Sequence, residues 1–102
     1  MTLYNKLVRD KIPEIIRQQG GEPLIRVLSD EDYARCLAQK LDEEVAEFHR
    51  DQNLEELADI LEVVFALTEI VGSSRAELMD VYEKKHEARG GFSDKVFLIG
   101  KE

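Results

Sequence analysis

Two short acidic groups hold the residues best suited to chemistry. Glu43, Glu44 and Glu47 lie in one run, and Glu56 and Asp59 in the next. A helix turns roughly 100° per residue, so with Leu41 at zero Leu37 and Phe48 fall within roughly 40° of it and Glu44 at about 300°, inside the apolar stripe. Glu47 lies on the flank of that stripe and Glu43 points well away. With Leu57 as the reference, Ile60, Leu61, Val64, Leu67 and Val71 form one apolar face. Val63, Ala66 and Ile70 form a second, which Glu56 and Asp59 begin. A helix apolar on two faces sits between partners, which directs Glu56 and Asp59 at another helix. Each helix thus carries an i, i+3 carboxylate pair on a packing surface, Glu44 with Glu47 and Glu56 with Asp59.

A carboxylate on a buried surface is costly unless its charge is compensated, and four facing one another repel. A hard divalent ion resolves both problems. Mg²⁺ prefers oxygen ligands, keeps several waters and is commonly shared between a few carboxylates and substrate phosphates, with Mn²⁺ as its nearest substitute. Taken singly, each acid reads as an ordinary helix charge, and Glu56 as the capping-box partner of Asn53. Taken as two spaced pairs, they read as a metal site. His49 and His86 sit off these lines as surface or packing residues, which disfavours zinc.

A later helix offers cations. Leu78, Tyr82, Lys85 and Arg89 fall within roughly 60° of each other. Lys85 and Arg89, just before Gly90-Gly91, suit phosphate oxygens. The alternatives are snorkelling or a contact with the helix C-terminal dipole. Lys6, Arg9 and Lys11 form a basic group in an acidic chain and are candidates for phosphate or partner contacts, or for pairing with the acidic surface.

These residues need helices to position them, and the punctuation of the chain supplies boundaries. Pro13 suits the first turn of a short helix over Ile12–Gln19 that Gly20-Gly21 stops. Pro23 to Leu28 alternates loosely and predicts a short strand ending at Ser29. Ser29 with Asp32 predicts an N-cap and a helix running to about Arg50, with Tyr33, Leu37, Leu41, Val45 and Phe48 as its apolar line. Asn53 with Glu56 opens a second long helix through Ile70, stopped at Gly72, and Ser74 with Glu77 opens a third ending at Gly90-Gly91. Val96 to Ile99 reads as a last strand, paired with Leu24 to Leu28. The expected fold is therefore an all-α bundle with one small two-stranded element, formed by a single domain over residues 1–102.

At 102 residues the chain has room for one core, and a domain this small that also needs a substrate site often completes itself by oligomerising. The charge of −8, from 22 acidic against 14 basic residues, opposes binding to nucleic acid polymers or anionic membranes and leaves a polyanionic ligand dependent on bridging cations. No run approaches the ~18 apolar residues of a membrane span. A lone Cys36, read as helix packing, and an amino end without a signal peptide place the chain in a reducing cytoplasm.

In motif and order the chain resembles the all-α nucleotide pyrophosphohydrolases, the MazG-like and phosphoribosyl-ATP pyrophosphohydrolase-like proteins. The resemblance rests on Glu43-Glu44-Val45-Ala46-Glu47, on Glu56-Leu57-Ala58-Asp59 and on Lys85-His86-Glu87-Ala88-Arg89-Gly90-Gly91-Phe92. The opening Tyr4-Asn5-Lys6-Leu7-Val8-Arg9-Asp10-Lys11-Ile12-Pro13 is similar to a signature of one phosphoribosyl-ATP pyrophosphohydrolase-like subgroup. The resemblance implies Glu44, Glu47, Glu56 and Asp59 as metal ligands, Glu43 as a residue that supports the site or orients water, Mg²⁺ as the usual ion, and a homodimer or homotetramer. It also implies hydrolysis of a nucleoside triphosphate to the monophosphate and pyrophosphate, with Glu43 or Glu47 helping to take the proton and Lys85 and Arg89 holding phosphate. Two other readings stay open: hydrolysis of phosphoribosyl-ATP in histidine biosynthesis, and a non-catalytic helical module that keeps the acids for assembly. Only Phe48 to Glu55 separates the two acidic motifs, so the helices must turn back promptly, with little room for a base-recognition insert.

Overall fold

A computed structural model describes residues 1–102. Its four helices are α1 (Ile12–Gln18), α2 (Asp30–Asp51), α3 (Leu54–Ile70) and α4 (Arg75–Arg89). The fold class is all-α, as expected, and three helix starts follow the capping signals. The Ser29 hydroxyl accepts from the Asp32 amide at 3.2 Å, Asn53 Oδ1 from the Glu56 amide at 2.9 Å, and the Ser74 hydroxyl from the Glu77 amide at 3.1 Å. Each bond satisfies one of the donors that a helix N-terminus leaves unpaired.

The connection that matters is the two-residue link between α2 and α3. Gln52 adopts a left-handed conformation (φ 46°) and its amide closes onto the Phe48 carbonyl, while Asn53 is extended and caps the next helix. So short a turn makes α2 and α3 an antiparallel hairpin. Glu47 lies four residues before the end of α2 and Glu56 two after the start of α3, at roughly 6 and 3 Å from the turn along the helix axes. Glu44 and Asp59 follow at roughly 10 and 8 Å, so the register sets the two carboxylate pairs opposite each other.

The hairpin also holds the whole core. Leu37 and Val63 are the buried apolar residues, flanked by half-buried Tyr33, Leu41, Phe48, Ile60 and Val64. Of the two apolar faces of α3, the one continuing from Glu56 and Asp59 through Val63 packs on α2. The other leaves Leu57, Leu61 and Val71 exposed. α1 packs against no other helix, and α4 meets α3 but not α2. The Arg75 guanidinium lies over the Phe65 ring, 3.9 Å from its centroid.

The predicted strand pair does not form. No backbone hydrogen bond joins residues 22–28 to 96–102, and Val27 and Ile99 are 92% and 95% exposed. A two-stranded ladder is marginal by itself, and nothing in the chain lies behind these segments to bury their apolar side chains.

The result is an extended molecule. Its radius of gyration is 17.9 Å, against about 13 Å for a compact chain of this length. Its accessible surface is 9323 Å², where a compact monomer of this mass exposes about 5,900 Å². Replacing Asn53 with Ala removes the cap that starts α3 beside the turn. We expect a loss of about 1 kcal/mol of stability in urea unfolding.

Candidate metal centre

The hairpin register converts two sequence-separated acidic motifs into one cluster. Glu44, Glu47, Glu56 and Asp59 each offer a carboxylate oxygen such that all four atoms lie within 4.8 Å of one another. Glu44 is the innermost, 6% exposed. Its Oε1 is paired with Lys40 Nζ at 3.2 Å, and its Oε2 is buried with no hydrogen-bond partner. Glu56 Oε2 is a second buried oxygen without a partner. Buried acceptors are nearly always satisfied, so two orphans in one cluster mark a place that a hydrogen-bond donor or a cation would satisfy.

The electrostatics agree. Burial pushes the Glu44 carboxyl above the usual carboxylate range; Lys40 opposes the rise and the neighbouring Glu47 adds to it. Glu56 is raised as well, first by desolvation and then by Glu47, Asp51 and Asp59. Charge repulsion of this kind is relieved by taking up protons or by binding a cation. With oxygen donors alone and no His or Cys in the cluster, the residues fit a hard divalent ion such as Mg²⁺ or Mn²⁺.

Other sequence-predicted residues are placed differently. Glu43 is exposed and lies outside the cluster, its Oε2 3.5 Å from Lys40 Nζ. Lys85 and Arg89 are exposed on α4 and do not line the hollow beside the acids. Arg89 instead borders a separate hollow formed with Gly90 to Val96. His49 and His86 are exposed. Of the basic amino-terminal group, Arg9 reaches the site: its guanidinium donates to Asp59 Oδ1 at 2.6 Å. Lys40 was missed as a site residue, although its i, i+4 spacing to Glu44 is a readable signal. Arg9 and Lys40 border a cavity of about 330 Å³ that Tyr33 and Phe65 line from α2 and α3 and that opens onto Glu44 and Asp59.

No protein-family model matches the chain, and no solved structure does. A segment of 54 residues is 56% identical to an uncharacterized protein of Mycolicibacterium smegmatis, covering 49% of this chain and 55% of that protein. The chain thus spans about half the length of this relative.

A carboxyl with a raised folded-state pKa holds its proton more tightly in the folded chain than in the unfolded one. Its contribution to stability is present below the unfolded pKa and is lost as pH rises through the folded value. Glu44→Gln removes that loss. Without divalent ions, the thermal midpoint of Glu44→Gln should exceed that of the unmodified protein near neutral pH, and the gap should close as pH falls through the carboxylate range. Mg²⁺ should raise the midpoint of the unmodified protein and leave Glu44→Gln largely unmoved.

Proposed function

We propose that the chain is a Mg²⁺-dependent nucleotide pyrophosphohydrolase that cleaves a nucleoside triphosphate to the monophosphate and pyrophosphate. The observation that carries this reading is the buried, unpartnered oxygen of Glu44, one of four converging carboxylates. The motif order of the chain, acidic pair, acidic pair, basic motif, supports it from the sequence side.

Glu44, Glu47, Glu56 and Asp59 are the residues that hold the ion. When bound, Mg²⁺ supplies Lewis-acid stabilisation of the charge that develops on the phosphate oxygens. The chain's own part is positioning and proton transfer. Glu47 is half-buried beside Glu44 and Glu56, where a carboxylate can take the proton from an attacking water. That water's oxygen forms the new bond to phosphorus as the link between the α and β phosphates breaks. Pyrophosphate leaves, and the proton passes from Glu47 to solvent. Glu43 stands outside this group and acts through Lys40, which it shares with Glu44.

The working form in this proposal is a homo-oligomer. The excess of accessible surface over a compact monomer is about 3,400 Å², more than a standard protein–protein interface removes from one partner. The unpartnered α3 face around Leu57 and Leu61 is the surface that a second copy covers, and α4, free of α2, is the element able to carry Lys85 and Arg89 to another copy's phosphate site. Light scattering should give two or four times the 11.7 kDa chain mass; a single-chain mass at working concentration overturns this part.

The reaction is tested with a panel of ribo- and deoxynucleoside triphosphates and phosphoribosyl-ATP, with and without Mg²⁺. Monophosphate and pyrophosphate should appear only with metal. Loss of an outer-shell partner alone costs about 10–100-fold at metal sites. Glu44→Ala or Asp59→Ala, which removes a ligand, should therefore lower turnover by at least on the order of a hundredfold while the helices persist by circular dichroism. No turnover on any substrate favours the non-catalytic module instead.

A further inference from the structure

Of the four carboxylates, two have cationic partners and two have none. Lys40 holds Glu44 at 3.2 Å and Arg9 holds Asp59 at 2.6 Å, whereas Glu47 and Glu56 make no ion pair. The Arg9 bond is unlike every other side-chain hydrogen bond in the molecule. It joins residues fifty positions apart, while the rest link residues three or four apart. It therefore seats the irregular amino-terminal segment, with Leu7 and Val8, against the mouth of the cavity. Lys40 comes from α2, with a side chain only 19% exposed. Two cations thus converge on one small cavity from different elements, each resting on an acid that the metal reading assigns to a divalent ion.

We propose that Arg9 and Lys40 form the anion clamp of this cavity, resting on Asp59 and Glu44 while these acids hold no metal and turning to the phosphate oxygens of the ligand once divalent ions occupy them. The inference rests on the metal reading above and extends it to the substrate's anionic part. A monovalent and a divalent cation on the same carboxylate repel, so metal entry displaces the guanidinium from Asp59. A released guanidinium presents a planar fork of donors that matches two phosphate oxygens, and the ammonium adds a point charge beside it. The Glu44 oxygen that has no partner is what distinguishes this cluster from an ordinary acidic surface, because it is buried and belongs to a residue that lines the same cavity. Tyr33 and Phe65 line the cavity together with the two cations, and its volume lies near the lower end of small-ligand pockets, enough for the part of a nucleotide next to its phosphates.

The two roles make opposite demands on one residue, and calorimetry separates them. Mn²⁺ is titrated first into the metal-free protein, then pyrophosphate into the Mn²⁺-loaded protein, for the unmodified chain, Arg9→Met and Lys40→Met. Met keeps an apolar stem and removes the charge. Arg17→Met removes a charge whose only partner is Glu14 on α1, and so measures the general field effect. Arg9→Met should bind Mn²⁺ about two- to fivefold more tightly, the size an exposed ion pair supports. It should bind pyrophosphate about tenfold or more weakly, the loss expected for a charge-assisted contact. Lys40→Met should shift in the same two directions, and Arg17→Met should change neither by more than about twofold.

If Mn²⁺ binds but Arg9→Met matches Arg17→Met in both titrations, the clamp is overturned and the metal centre stands. Weaker Mn²⁺ binding in Arg9→Met also overturns it, because Arg9 then supports the ligands instead of competing for them. Absence of Mn²⁺ binding to the unmodified protein overturns the metal centre and the clamp with it. Helical circular dichroism of each variant ensures that these outcomes report on the site.

Discussion

Like charge confined between two helices governs this molecule. Glu44, Glu47, Glu56 and Asp59 meet where α2 and α3 pack, so the contact that makes the core also concentrates negative charge. Hydrophobic burial of Leu37 and Val63 drives the helices together, and the carboxylates oppose it. Around the cluster the chain shows the means that moderate such repulsion: a lysine one turn away, an arginine brought from the amino-terminal segment, and carboxyls raised so that protonation comes more easily. Two oxygens are left over, and that remainder is what the proposed divalent ion would satisfy.

The turn between the helices sets how close the acids come. Gln52 in a left-handed conformation and Asn53 as a cap reverse the chain within two residues, which leaves no freedom to slide one helix along the other. A longer connection would let the pairs separate and relieve the repulsion. The cap bond from the Glu56 amide to Asn53 also fixes the first turn that carries Glu56, so backbone hydrogen bonding and site geometry depend on the same residues.

Outside the hairpin, the structure departs from what a compact domain looks like. α3 is apolar on two faces and uses one; the tail from Phe92 to Ile99 exposes its apolar side chains; α4 touches only its neighbour. Exposed apolar surface of this extent marks a face suited to contact with another surface. Lys85 and Arg89, grouped with the acids by motif, lie away from them within one chain, and in the proposed homo-oligomer another copy would bring them together.

Much of the fold was legible in the residues because it rests on local chemistry. Capping pairs at Ser29, Asn53 and Ser74 begin helices through hydrogen bonds three residues long, and glycines mark where α1, α3 and α4 stop, so these starts and stops follow from neighbours in sequence. Helical periodicity likewise placed Glu44 inside an apolar stripe and Glu56 and Asp59 on a packing face, before any coordinates. Leu24 to Leu28 and Val96 to Ile99 do not form the expected strands because a strand needs a distant partner, which alternation within a segment cannot supply. What the tertiary structure decided was of this non-local kind: which face of α3 meets α2, that the four carboxylates converge to within 4.8 Å of one another, and that Arg9 crosses fifty residues to reach Asp59. Residue type and spacing determine a helix and the side it prefers to bury, since those energies are set within a turn or two. The meeting of charges from separate elements depends on how the elements dock, which is settled by packing across the whole chain.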